Sequence, residues 1–165
     1  MLVVADATPI IVLIRLGLPD LLTKLYGQVV IPPEVQAELS HPGAPKELRD
    51  WIQKPPAWLI VRAPTHPHNI QASGLGEREA IALAVELKAD FLLADDKEAR
   101  TIARRLNIPV TGTVGILELA AISGWIQLEP IFMKFREIDF FIDDDVLKKV
   151  LARHRSQKPP SSSRE

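Results

Sequence analysis

The sequence predicts an α/β fold, a three-layer α/β/α sandwich around a mostly parallel central sheet of Rossmann-like topology. Three observations lead there. Short runs that are apolar at every position, at 2–5, 29–31, 58–61 and 91–94, alternate along the chain with longer helical stretches. A strand with one face in water alternates polar and apolar residues, so runs without that alternation belong to parallel strands covered by helices on both sides. The composition, 47% hydrophobic and 25% charged over 165 residues, suits one globular unit with a sizeable core.

The first strand, Leu2 to Ala5, ends in Asp6. Thr8 and Pro9 follow as an N-cap and a first-turn proline, so a helix is expected from about Pro9 to Leu16. Pro19 opens a second short helix through Leu25, and Val29 to Ile31 is the second strand. Pro32-Pro33 breaks the chain and starts a helix over 33–40 that carries Glu34 and Glu38, and His41-Pro42-Gly43 stops it. A helix over 46–53, a Pro55-Pro56 break and a strand over 58–61 come next, and 63–73 reads as loop. From Gly76 to Lys88 the residues Ala80, Ile81, Ala84, Val85 and Leu87 make a wide apolar face of one helix. The strand over 91–94 ends in Asp95-Asp96, ahead of a helix over 97–106. Val110 marks a last short strand, Thr113 a cap for a helix over 114–122, and helices near 129–137 and 144–153 complete a domain of residues 1–153. Residues 154–165, polar, basic and rich in serine and proline, read as a disordered tail.

Several function classes fall away. No apolar stretch approaches the roughly 20 residues that a bilayer-spanning helix needs. The N-terminal apolar run lacks a basic leader and is interrupted by Asp6, Pro9 and Arg15, so a cytoplasmic protein without membrane attachment is expected. The absence of cysteine excludes disulfides, thiolate catalysis and cysteine-ligated zinc. A net charge of −1 gives no global attraction to nucleic acid, so any polyanion site is local. The one strong basic excess is Lys148, Lys149, Arg153, Arg155, Lys158 and Arg164, after the acidic run Asp143 to Asp145 that charges the start of the last helix. Gly74 to Glu79 imitates a dinucleotide fingerprint but lacks its third glycine and follows a loop. His66-Pro67-His68 reads as a rigid exposed turn, not a metal site.

The acids are the informative feature. In an open parallel sheet, ligands bind beyond the carboxyl ends of the strands where the strand order reverses. Asp6 closes the first strand and Asp95-Asp96 the strand over 91–94, so both reach one crevice if those strands are neighbours. Glu77, in the first turn of its helix, and Glu38, near the end of another, can join them. Carboxylates held close repel one another and burial raises their pKa further, so such a group stays anionic when a cation neutralises it. Hard oxygen donors select Mg²⁺ or Mn²⁺, which keep positions open for a phosphate oxygen and for water. Phosphodiester hydrolysis is the chemistry that follows. Each acid also has an ordinary role open to it: Asp6 in an Asx-turn, Glu38 as a solvated helix residue, Glu77 and Glu79 against the helix dipole, Asp95 or Asp96 as an N-cap. The repetition of an acid directly after an apolar strand favours a shared site.

Four segments, VVADATPIIVLIRLGL at 3–18, VIPPEVQAEL at 30–39, LGEREAIALAVELKADFLLADDKEAR at 75–100 and VTGTVGILELAAISGWI at 110–126, resemble in this order the PIN-domain family. The resemblance is to its toxin-like bacterial and archaeal subgroup, of VapC type, and with the C-terminal helices it covers residues 2–153. It implies a metal-dependent endoribonuclease using Mg²⁺ or Mn²⁺, the toxin of a type II toxin–antitoxin pair, with RNA as substrate and a small antitoxin as partner. Carried over by position, it implies Asp6, Glu38, Glu77 and Asp95 as catalytic and metal-binding acids, with Asp96 as a further ligand. Relatives often have threonine or serine before the last acid, where this chain has Ala94-Asp95-Asp96, so that register is open by one residue, and Glu79 stands as the alternative to Glu77. Thr8, Arg100, Arg104 and Thr113 are the candidates for substrate contact. The apolar helices with Trp51 or Trp125 offer a surface for the antitoxin or for a homodimer. The alternatives are a non-catalytic RNA-binding or protein-interaction module on the same fold and a receiver-type phosphotransfer domain. The latter needs its acid pair after the first strand, whereas here the pair comes late.

Overall fold

Five short strands, β1 (Val3–Ala5), β2 (Val29–Ile31), β3 (Leu59–Val61), β4 (Phe91–Leu93) and β5 (Val110–Thr111), form one sheet in the computed structural model, which describes residues 1–157. The order is β3-β2-β1-β4-β5 and every pairing is parallel. The chain builds from β1 outward to β2 and β3, then returns to the other side of β1 with β4 and β5. The strand order therefore reverses between β1 and β4, whose register sets Val3 against Phe91, Val4 against Leu92 and Ala5 against Leu93. This is the α/β architecture expected, with the sheet wholly parallel.

Nine α-helices connect and extend the strands among the described residues: α1 (Ala7–Arg15), α2 (Leu21–Tyr26), α3 (Pro33–Ser40), α4 (Lys46–Gln53), α5 (Leu75–Glu86), α6 (Lys97–Arg105), α7 (Thr113–Ile122), α8 (Leu128–Lys134) and α9 (Asp144–Gln157). Helix α1 starts two residues earlier than the proline pattern predicts. Thr8 therefore lies within its first turn, and Asp6 holds the N-cap position without making a side-chain cap bond. Pro9 is tolerated because the first-turn N–H groups have no intrahelical acceptor. The loop over 63–73 contains a short 3-10 turn, Pro67–Asn69. It is tied to the end of α5 because the Glu86 carboxylate accepts the backbone N–H groups of Thr65 at 2.8 Å and His66 at 2.6 Å. None of the helices among the described residues is long and apolar enough to cross a membrane.

The chain divides into two compact units, Met1–Ile116 and a second that begins at Leu117. In the first, Val4, Val30 and Leu92 point from one face of the sheet into a core shared with Ala80, Ile81 and Ala84 of α5 and Ala99 and Ala103 of α6. Alanine at these contacts lets the helix backbones lie close to the strands. Val85 departs from the expected apolar face and is exposed, while Ala82 and Leu83 are buried with the rest of α5. Trp51 and Trp58 pack on each other with ring centroids 5.9 Å apart.

In the second unit, Phe135 sits between Phe132 and Phe140, with centroid distances of 5.2 and 5.0 Å. Helix α9 continues to Gln157, so residues 154–157 are helical and His154 is buried. The rest of the expected tail, with Lys158 and Arg164, lies outside the described residues. Two of the basic residues singled out in the sequence are already paired. Arg153 grips Glu118 through Nε at 2.8 Å and Nη2 at 2.6 Å, and Arg155 meets Glu129 at 3.1 Å. The basic excess near the C-terminus is thereby partly neutralised within the unit.

Leu92 lies on a central strand with no solvent exposure. Leu92→Ala is expected to destabilise the fold by about 2–5 kcal/mol, through lost burial and the cavity left behind. Denaturant unfolding of the two proteins measures this.

Candidate metal centre

The acids meet where the strand order reverses. The backbone N–H of Asp6 donates to the carbonyl of Leu93 at 2.9 Å, which pins the end of β1 to the end of β4. Asp6 is 6% exposed, a buried carboxyl at the edge where the strand order reverses. The ladder continues from Ala94, whose N–H donates to the Thr111 carbonyl at 2.9 Å, and delivers Asp95 and Asp96 to the same edge.

Neighbouring aspartates do different work there. Asp95 is held by Thr113: the backbone N–H of Thr113 donates to Oδ1 at 2.8 Å and its hydroxyl to Oδ2 at 2.6 Å. Burial raises the Asp95 pKa, and the Thr113 bonds and the nearby Arg100 guanidinium oppose that rise. Asp96 is the N-cap of α6, with Oδ1 accepting the N–H groups of Glu98 at 2.7 Å and Ala99 at 3.2 Å. Thr113 is fully buried with its hydroxyl committed to Asp95, so it positions that carboxylate.

Helix α5 brings Glu77 over these acids. Desolvation pushes the Glu77 carboxyl up to about 7, and the charges of Asp96, Asp6, Glu98 and Glu38 push the same way. Glu38, an exposed residue of α3, also has a raised pKa, first from desolvation and then from Asp6 and Glu34. For Asp6, burial is again the main cause, opposed by a backbone hydrogen bond from Ala7 and reinforced by Asp95 and Asp96. These couplings place Asp6, Glu38, Glu77, Asp95 and Asp96 in one electrostatic group. Glu79 turns away: its Oε2 accepts the backbone N–H of Glu34 at 3.1 Å and fastens α5 to the start of α3.

One acid of the cluster went unnoticed in the sequence. Oxygens of Glu77, Asp96 and Glu98 lie within 4.8 Å of one another, a spacing that suits a cation. Glu98 is hydrogen-bonded to the Ser73 hydroxyl and follows Asp96 by two residues in the first turn of α6. That spacing on a helix start was the available signal. Among the remaining candidates, Thr8 is half-buried in the first turn of α1, Arg100 lies against Asp95, and Arg104, farther along α6, is exposed.

The donor set fits a divalent cation. All groups are hard oxygens, and Oε2 of Glu77 is buried with no hydrogen-bond partner among the described residues. An orphaned carboxylate oxygen facing several like charges is costly unless a proton or a cation satisfies it. A family model described as a PIN domain matches residues 2–156. Neither a curated protein nor a solved structure matches the chain.

The raised pKa values have a definite sign in stability. A carboxyl that binds its proton more tightly folded than unfolded contributes stability that is full below its unfolded pKa and is lost as pH rises through the folded one. With chelator present, the melting temperature should therefore fall as pH rises from 4.5 to about 7, the window set by Glu77. Mn²⁺ should reverse the slope, and Glu77→Gln should flatten its upper part; a pH series of thermal melts checks all three. Thr113→Val keeps the shape but strips Asp95 of one donor, and should cost about 1–3 kcal/mol in urea unfolding.

Proposed function

The chain belongs to the PIN-domain family, and on that premise we propose that it is an Mg²⁺- or Mn²⁺-dependent endoribonuclease cleaving RNA phosphodiester bonds. PIN domains are generally nucleases, typically use divalent metals and act on RNA. The observation that carries the proposal is the gathering of Asp6, Glu38, Glu77, Asp95 and Asp96 beyond the ends of β1 and β4, with one buried Glu77 oxygen left unpartnered. Such a group is unfavourable in an apoprotein and favourable around a cation.

Asp6, Glu38, Glu77, Asp95 and Asp96 would hold the cation, and Glu98 adds a carboxylate close to Glu77 and Asp96. When bound, the metal supplies a lowered pKa for water and stabilisation of charge on the phosphoryl oxygens. The protein's own contribution is placement. Thr113 holds both oxygens of Asp95, and the nearby Arg100 charge favours its ionised form. The Glu77 carboxyl, pushed up to about 7 by desolvation and neighbouring charges, would have to give up its proton to hold a cation. Arg100 and Arg104 offer positive charge to the RNA backbone from the same helix, and Thr8 borders the crevice beside Asp6.

A finer reading is that this is a cytoplasmic VapC-type toxin whose crevice a small antitoxin covers; the four-segment resemblance supports it. The test is incubation of the purified protein with short single-stranded RNAs in Mg²⁺ or Mn²⁺, against EDTA and against Asp6→Asn. Cleavage that requires the metal and disappears in a variant with unchanged melting is the expected result. Its expression should slow growth where that of Asp6→Asn does not. Turnover by Asp6→Asn at the wild-type rate would overturn the assignment.

A further inference from the structure

Helix α5 enters the acidic site through Gly76, the residue before Glu77. Gly76 is buried, and a methyl group at its Cβ position would collide with Oε1 of Glu38 and lie 3.6 Å from Oδ1 of Asp6. The backbone does not ask for glycine there, since Gly76 lies within a regular helix and outside the positive-φ region. Glycine inside a helix is less stable than alanine by roughly 0.5–1 kcal/mol, so local preference favours a side chain at this position. The space that glycine leaves is taken by the Glu38 carboxylate.

We propose that Gly76 is a positioning residue whose missing side chain keeps the Glu38 carboxylate beside Asp6. The group in the way is the tip of a flexible, exposed glutamate. A methyl at position 76 is therefore accommodated by swinging Glu38 out of the site, leaving the fold in place. Gly112 differs. A Cβ there would stand 2.6 Å from Oδ1 of Asp95, 2.9 Å from Nη1 of Arg100 and 3.4 Å from the Ala94 carbonyl, so fixed groups and backbone would have to move. Of the two glycines, Gly76 is the one at which the site can be changed apart from the fold. Its consequence for metal binding rests on the reading of the acids as a metal centre; its effect on Glu38 does not.

The test compares wild type, Gly76→Ala, Glu38→Ala and the double variant by thermal melting, Mn²⁺ calorimetry and the crystal structure of metal-free Gly76→Ala. Gly76→Ala should melt at or above the wild-type temperature, with Glu38 rotated away from Asp6. Its Mn²⁺ affinity should fall roughly tenfold or more, as expected when a metal ligand loses its orientation, and in the Glu38→Ala background the same substitution should change it less than about twofold. Glu38 found beside Asp6 in the Gly76→Ala crystal structure would overturn the proposal, as would an equal loss of affinity in both backgrounds. Should wild type bind no Mn²⁺, the metal-centre reading fails, and the position of Glu38 in the crystal still decides the role of Gly76.

Discussion

Carboxyl groups gathered beyond β1 and β4 repel one another, and the burial of Asp6 strengthens that repulsion because less water is present to screen it. The first unit is arranged around this cost. The parallel pairing of β1 with β4 brings Asp6 against Asp95 and Asp96, and α3 and α5 add Glu38 and Glu77. Without compensation such a group would spread apart or take up protons. Burial is the main cause of the raised pKa values of Asp6, Glu38, Glu77 and Asp95, and neighbouring carboxylates add to it for Asp6, Glu38 and Glu77.

Spreading is prevented by bonds that have no part in chemistry. Thr113 fixes both oxygens of Asp95, the first turn of α6 fixes one oxygen of Asp96, and Glu79 ties α5 to α3 through the Glu34 N–H. Underneath, the alanine-rich faces of α5 and α6 pack on Val4, Val30 and Leu92, which holds the helix starts at the sheet edge. The stability of this apolar layer is what permits a strained electrostatic group above it. On the proposed reading, residues that cost the apoprotein stability are kept where a cation would make them favourable.

On the proposed reading a proton and a divalent cation would compete for the same oxygens, and the Glu77 carboxyl, pushed up to about 7 by desolvation and neighbouring charges, is the group where that competition would fall near neutral pH. Arg153 and Arg155 of the second unit are committed to Glu118 and Glu129, so on the proposed reading the positive charge for a polyanion would be local to the acidic centre.

Much of this was legible in the sequence because it depends on short-range patterns. Runs apolar on both faces marked the parallel strands, proline and glycine marked most helix ends, and acids directly after Ala5 and Ala94 marked the sheet edge. Thr8 misled, since a threonine before proline suits an N-cap as well as a first turn, and the helix begins instead at Ala7, buried, with Asp6 at the N-cap. The division of labour between Asp95 and Asp96 was not legible: it is set by Thr113, 18 residues away, which reaches Asp95 only because β5 lies beside β4. The same holds for Glu79 bonding to α3, for Glu98 joining Glu77, and for Gly76 making room for Glu38. The sequence by itself determined which residues are strand, helix and acid, because those follow from local hydrophobicity and backbone preference. Only the tertiary structure decided which acid faces which, because that depends on strand order and on side chains brought together from distant parts of the chain.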